Sequence, residues 1–451
     1  MMLTLAHRTP ARDDLLAIME AALAAVEPAA AVRAALRREG SMLHVGGATL
    51  DLDGVERVIV LGAGKAGAPM ARAAEEILGD RLSAGLVIVK EGHVAPTERI
   101  ELREAAHPVP SAAGLAASEA LLALAEGAGE RDLVLVLLSG GGSALLEALP
   151  ASLTLDDLRA TTEALLASGA TINEVNVLRK HLSRVKGGQL ARAVAPAALV
   201  TLVLSDVVGS PLDVIASGPT VADTSTWADV GEVVARYGLA ATLPPAVVAR
   251  LAMGAAGDLA ETPKPGDSLI AAQTVALIGD NAIAAEAARR EGERRGYASA
   301  ILTTFLEGEA REVARVAVAL GREVAAHGRP LAPPACLILG GESTVTMRGS
   351  AGKGGRNQEL ALAAAREIAG MAGITIGALA TDGSDGPTDG AGAIVDGGSA
   401  ARADALGLSI AAALARHDAY PLLDATGDLL RSGPTQTNVN DLLFVMVGVA
   451  R

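Results

Sequence analysis

Short, uninterrupted apolar runs recur along the chain. Each closes on a small or acidic turn, and most lead into an alanine-rich stretch. They read "VERVIVLGAG", "LVLVLLSGGGS", "LVTLVLSDVVG", "TVALIGDN", "ACLILGGES" and "ITIGALATDGSDG". Continuous Val/Ile/Leu runs, as opposed to alternating apolar and polar positions, mark strands buried on both faces. Alternation with helical stretches then predicts parallel sheets covered by helices, an α/β architecture. In open α/β sheets ligands bind at the carboxyl ends of strands, and here the Gly, Lys and Asp residues fall at those ends. The pattern breaks between residues 240 and 270, where "ATLPPAVVARL" and "GDLAETPKPGDSL" are rich in Pro, Gly and charge. This predicts a domain over 1–245 and a second over 246–451, with the closing run "DLLFVMVGVA" free to return to either sheet. Residues 13–26 read as an amphipathic helix. Asp13 and Asp14 stand where a signal peptide needs its apolar centre. No run reaches the roughly 18 to 20 charge-free apolar residues of a membrane span.

The chain has 451 residues, half of them hydrophobic, enough for more than one core. Its net charge of −14, with one Trp, three Tyr and two Phe, lacks the basic footprint and stacking aromatics of nucleic-acid binders. The same charge disfavours anionic membranes. Cys336 is the single cysteine, so no intrachain disulfide forms; this fits a cytoplasmic protein. It reads as a small core residue.

Candidate chemistry sits in the strand-end loops. "VIVLGAGKAGAPMA" carries Gly62, Gly64 and Gly67 after a strand, the dinucleotide pattern. Such a site expects a ribose-binding acid about 20 residues on. Here the next strand ends in Lys90, and Glu91 follows 29 residues past Gly62. A lysine inside the loop, Lys65, is disfavoured by the helix dipole unless an anion lies between them. The loop is thus a phosphate contact, a tight turn with a solvated lysine, or an incomplete dinucleotide site. Ser139, Gly140, Gly141, Gly142 and Ser143 link a buried strand to a helix and offer free N–H groups to an anion. "VNVLRKHLSRVKGGQLARAV" clusters Arg179, Lys180, His181, Arg184 and Lys186, with Lys180 and Arg184 at helical spacing. This suits a polyanionic ligand or a solvated face. Asp206 follows a strand directly, as base, Mg²⁺ ligand or turn cap. Glu342 also follows a strand. Arg356 opens a helix after a glycine-rich stretch, placed for carboxylate or phosphate. Asp382, Asp385 and Asp389 crowd one acidic, glycine-rich loop that could hold Mg²⁺ or ribose. His93 and His107 read as turn residues. This inventory is what phosphoryl transfer needs, where catalysis is positioning plus charge stabilisation.

Taken together, "GAGKAGAPMA", "AAHPVPSAAG", "LLSGGGSALL", "NVLRKHLSRVKGGQLA", "SDVVGSPLDVIASGPT", "GGESTVTMRGSAGKGGRNQELALA", "TDGSDGPTDGAGA" and "LLRSGPTQTNVNDL" resemble the glycerate 2-kinases with a carboxyl-terminal MOFRL domain. The resemblance runs from about residue 12 to 449. It implies a Rossmann-like first domain with a parallel sheet, a second MOFRL-type α/β domain, and an active site in the interdomain cleft. It implies ATP-dependent phosphorylation of D-glycerate at the 2-hydroxyl to 2-phosphoglycerate, with Mg²⁺. By motif the family's loop lysine is Lys65 and its "GGRNQE" arginine is Arg356. Gln189 departs from the pattern where a basic residue is expected. On this reading Lys65 neutralises the transferring group, and Arg356 holds the glycerate carboxylate or the phosphoryl oxygens. Asp206 is base or metal ligand; Gly64, Ser139 to Ser143 and Lys180 contact phosphate. Glu342, Asp382 and Asp385 join Asp206 as metal candidates. A hydroxypyruvate reductase and a non-catalytic nucleotide-binding regulator stand as alternatives. A homodimer is a possible assembly.

Overall fold

The computed structural model describes residues 2–271, 273–347 and 352–449. The chain forms two compact units, Pro28–Ile278 and a second made of Met1–Glu27 with Gly279–Arg451.

The unit built from Pro28–Ile278 is organised on a six-stranded sheet. Its order is Ile100–Ala105, Leu82–Lys90, Val58–Ala63, Leu133–Leu138, Ala198–Leu204 and Thr274–Gly279, the first five parallel. In chain order this is 3-2-1-4-5-6, the doubly wound Rossmann arrangement, whose switch point lies between the first and fourth strands. Val58–Ala63 and Leu133–Leu138 are buried along their whole length, as strands covered on both faces must be. A helical layer adds Leu155–Ala167, Ile172–His181, Trp227–Arg236 and Pro245–Ala256, packed around Trp227, Leu165 and Val247. A small antiparallel meander, Leu36–Glu39, Met42–Val45 and Ala48–Asp51, precedes the sheet.

The domain limit expected at 245/246 is displaced. Pro244 and Pro245, read as a connection, start a helix: Pro245 is at its first position, where a missing N–H costs nothing. The chain then adds a sixth strand to the same sheet before crossing at Gly279.

The second unit holds a mixed sheet in the order Ala298–Glu309, Ala335–Thr344, Asp441–Val447, Ile374–Ala380, Gly392–Asp396 and Leu429–Leu430. Its last long strand sits at the centre, antiparallel to both neighbours, so the final run stays in this unit. The amino-terminal helix Pro10–Ala25, capped by the Thr9 side chain, also belongs here and not to the first domain. Its Leu15, Leu16, Ile18 and Met19 are buried. Arg12, fully buried, pairs with Asp396 at 2.7 Å and Asp428 at 2.8 Å, which anchors the helix to a distant part of the sequence. Among the described residues no single helix is long and apolar enough to cross a membrane.

Candidate active site

Two glycine-rich loops leave neighbouring strands at the switch point of the first sheet. One runs from Val58–Ala63 into the helix Gly67–Leu78; the other from Leu133–Leu138 into the short helix Gly142–Leu145. They lock together. Ser139 N–H donates to the Ala63 carbonyl (3.1 Å) and Lys65 N–H to the Gly140 carbonyl (2.8 Å), while Ala66 N–H donates to Ser139 Oγ (3.1 Å). Gly64 has φ +145°, and a Cβ there would lie 2.0 Å from Ser139 Oγ. Gly64 and Ser139 therefore hold one loop against the other, where an open phosphate contact was expected. Gly140 meets a different demand: a Cβ would sit 2.1 Å from Asp206 Oδ2. Glycine at 140 lets a carboxylate close on the loop. The N–H groups of Gly140, Gly141 and Ser143 meet no protein acceptor among the described residues.

Lys65 is half-buried, and its Cγ lies against Gly141 beside the His107 ring. No carboxylate of the described residues is within ion-pair distance of its ammonium. Burial and then the Lys90 charge lower the pKa of His93. Burial, reinforced by Lys65, Lys90 and His93, pushes His107 down to about 4. This corner is positive and holds its imidazoles neutral.

A cavity of about 470 Å³ opens beside it within the same unit. Gly141, Gly142, Ser143, Asn176, Arg179 and Asp206 supply polar lining. Val109, Leu166 and Ile172 are among its apolar walls. The helix Ile172–His181 starts with a capping box between Thr171 and Glu174. It presents Ile172, Asn176 and Arg179, spaced four and three residues apart, on one face. Ser143 Oγ shares a hydrogen bond with Ser217 Oγ (3.0 Å), and Ser217 Oγ donates to Asn176 Oδ1 (3.2 Å). Ser217 holds φ +60° to do so, a conformation rare for a residue with a side chain.

The basic segment divides sharply. Lys180, expected to contact phosphate, is buried and paired with Asp223 (3.2 Å) and Asp213 (3.3 Å). Lys186 is fully buried against Glu147 (2.7 Å) and the Leu146 carbonyl (2.7 Å). His181 meets Glu261, and Arg184 meets Glu119 and Glu126 near the surface, so Lys180 and Arg184 do not share a ligand. Helical spacing favoured Lys180, but the member of this segment that lines the cavity is its neighbour Arg179.

In the second unit Arg356 opens the helix Arg356–Glu367. Its guanidinium is already engaged. Nε and one terminal nitrogen bond to Asp441 at 2.5 and 3.1 Å, and the other terminal nitrogen reaches Glu342 at 2.8 Å. Burial pushes Asp441 up to about 6 in spite of this contact. Glu342, a metal candidate by sequence, is paired with Arg356 and accepts from Asn440 Nδ2 (3.2 Å). Asp385 is buried and caps the helix from 27 or 28 residues away, accepting from Asn357 N–H (3.1 Å), Gln358 N–H (2.8 Å) and Asn357 Nδ2 (3.2 Å). Burial raises its pKa, opposed by those donors. Asp382 accepts the Ser384 N–H and closes its own turn. Among the described residues no group of three His, Cys, Asp or Glu side chains could hold a metal ion. Within their unit the metal candidates Glu342, Asp382 and Asp385 form no such group. Cys336 is fully buried, and burial pushes its thiol up to about 12, so it is a core residue.

Comparison with known proteins fits this architecture. Residues 14–252 match a domain of unknown function, DUF4147, and residues 335–441 match the MOFRL family. A glycerate 2-kinase of Pyrococcus horikoshii is 40% identical over 97% of both chains. A D-glycerate 2-kinase of Thermotoga maritima is 43% identical over 88% of this chain and 93% of its own. An Agrobacterium vitis protein with a provisional hydroxypyruvate reductase name is 46% identical over 87% of each. A Thermotoga maritima glycerate kinase crystal structure superposes with a TM-score of 0.87 at 40% identity, covering 97% of this chain and 99% of the other. Fold and matches thus define a Rossmann-like α/β protein completed by a MOFRL-type α/β unit. The chain belongs to the glycerate 2-kinase family.

Proposed function

We propose that this protein is an enzyme that transfers the terminal phosphoryl group of Mg-ATP to the 2-hydroxyl of D-glycerate. The 2-oxygen–phosphorus bond forms, the bond to the ADP oxygen breaks, and the hydroxyl proton goes to Asp206. The cavity of the first unit carries this reading, because one lining combines the carboxylates of Asp206 and Glu163, the guanidiniums of Arg159 and Arg179, and unpartnered backbone N–H groups. Negative charge on the phosphoryl oxygens is met by the N–H groups of Gly140, Gly141 and Ser143 and by Lys65. Mg²⁺ would be held mainly by the nucleotide phosphates and water, as this ion prefers, and would supply further charge neutralisation. The relatives named as glycerate kinases, similar over nearly their full length, support the same reaction.

The reductase reading is disfavoured by the second strand, Leu82–Lys90, which ends in a lysine where a ribose-binding acid is expected. One buried cysteine fits a cytoplasmic setting. The test is a coupled assay with D-glycerate and ATP that separates 2- from 3-phosphoglycerate. Formation of 2-phosphoglycerate is expected. NADH oxidation dependent on hydroxypyruvate, without any phosphorylation, would sink the proposal.

A further inference from the structure

The cations of the segment 179–186 can be accounted for one at a time. Lys180, His181, Arg184 and Lys186 each have a carboxylate partner. Arg179 has none within ion-pair distance among the described residues, and none of its guanidinium N–H groups meets a protein acceptor there. Yet it is not a solvated surface residue: it is half-buried, and burial lowers its pKa, opposed only in part by Glu147. Glu147 itself is held by Lys186. A guanidinium carries five donors in a fixed fork. Taking it partly out of water with no partner is costly unless a ligand restores the bonds. Its position in the lining with Asp206, Asn176 and Ser143 supplies the place for one.

We propose that Arg179 is the specificity residue of this site, binding the carboxylate of the acceptor substrate in the same cavity in which Asp206 faces its hydroxyl. The inference rests on the glycerate reading above and assigns to Arg179 a role that motif resemblance places on Arg356. Arg356 is less suited, because Asp441 and Glu342 already occupy three of its nitrogens. A site built around an unpaired guanidinium rejects neutral analogues, since they leave its donors desolvated and unbonded.

The experiment uses the full-length protein and the variants Arg179→Gln and Arg179→Lys. Direct calorimetric titration with D-glycerate, without nucleotide, is paired with steady-state kinetics for glycerate, its uncharged amide and ATP. Hydrogen bonds to charged groups predict a rise of about 10- to 100-fold in glycerate Kd and KM for Arg179→Gln. The KM for ATP should stay within about twofold, and preference for glycerate over the amide should fall by a similar factor to the Kd change. Arg179→Lys should fall between the two, because a point charge does not reproduce the fork. The Lys variant carries the same comparison if the Gln variant does not fold. A raised KM for ATP with unchanged glycerate binding would reassign Arg179 to phosphate and overturn the proposal. Unchanged values for both ligands, or wild-type protein that does not bind glycerate, would also overturn it. Wild-type protein that binds glycerate through Arg179 without phosphorylating it would sink the kinase reading while leaving this assignment standing.

Discussion

Two regions of this protein treat a positive charge in opposite ways. In the unit built from residues 28–278, Lys65 and Arg179 stand by the cavity with no carboxylate of the described residues within ion-pair distance. In the unit completed by residues 279–451, Arg356 is gripped by Asp441 and Glu342. The same contrast is repeated at short range, since Arg179 is followed by Lys180 and then Lys186, both buried against carboxylates. A charge whose partner is built into the protein holds the fold. A charge left without one is available to a ligand. Residue type alone does not separate the two.

The contrast can be broken most forcefully at Lys186. Replacing it by Met leaves Glu147 charged and buried, which should cost about 3 to 5 kcal/mol of stability in urea unfolding. Adding Glu147→Gln should recover much of that loss. A stable single variant would show that the pair does not hold the fold. Lys65→Ala tests the other half of the comparison. Removing an electrostatic contact to the transferring group should lower kcat about 10²- to 10³-fold, roughly 3 to 4 kcal/mol, with thermal stability unchanged. An unchanged kcat would make Lys65 a turn residue.

His107 sharpens the comparison through pH. Its folded pKa is about 4, whereas an unfolded histidine titrates at about 6.5. The unfolded chain therefore takes up a proton first as pH falls, and stability present above about 6.5 is lost as pH drops toward the folded value of about 4. Because the ring is only half-buried, about 1 to 2 kcal/mol of loss is expected from this group between neutral pH and pH ~4. Unfolding curves of His107→Gln across that range should show a correspondingly weaker dependence; equal slopes would place His107 in solvent. The smallest effect belongs to Arg184→Ala, whose partners Glu119 and Glu126 are near the surface. Stability should change by less than about 1 kcal/mol and glycerate KM not at all. A large KM change would restore the shared anion face that the sequence suggested.

Local pattern made much of this molecule legible. The buried strands, the loop holding Lys65, the burial of Cys336 and an amino-terminal helix near residues 13–26 follow from periodicity and turn residues. What escaped depends on distant pairing. Lys180 and Arg179 are adjacent in sequence but about 100° apart around the helix; only Asp213 and Asp223, more than 30 residues away, decide which one is buried. Asp385 looks like a metal ligand until the helix it caps is seen. The meander at 36–51 consists of four-residue strands too short for their alternation to show. Pro245 marked a boundary, but the boundary was that of a helix.

The burial of Arg12 against Asp396 also has a consequence for biosynthesis. These partners are separated by 384 positions. At about 5 to 20 residues per second, a ribosome needs roughly 20 to 75 s to make the second after the first. For most of that interval the helix Pro10–Ala25 carries Leu15, Ile18 and Met19 without the helix Asn281–Arg294 and the strand Ile374–Ala380 that cover them. The stretch 28–278, by contrast, has all its own contacts once it emerges. The order of synthesis thus makes this helix an early element that waits for partners made more than 250 residues later.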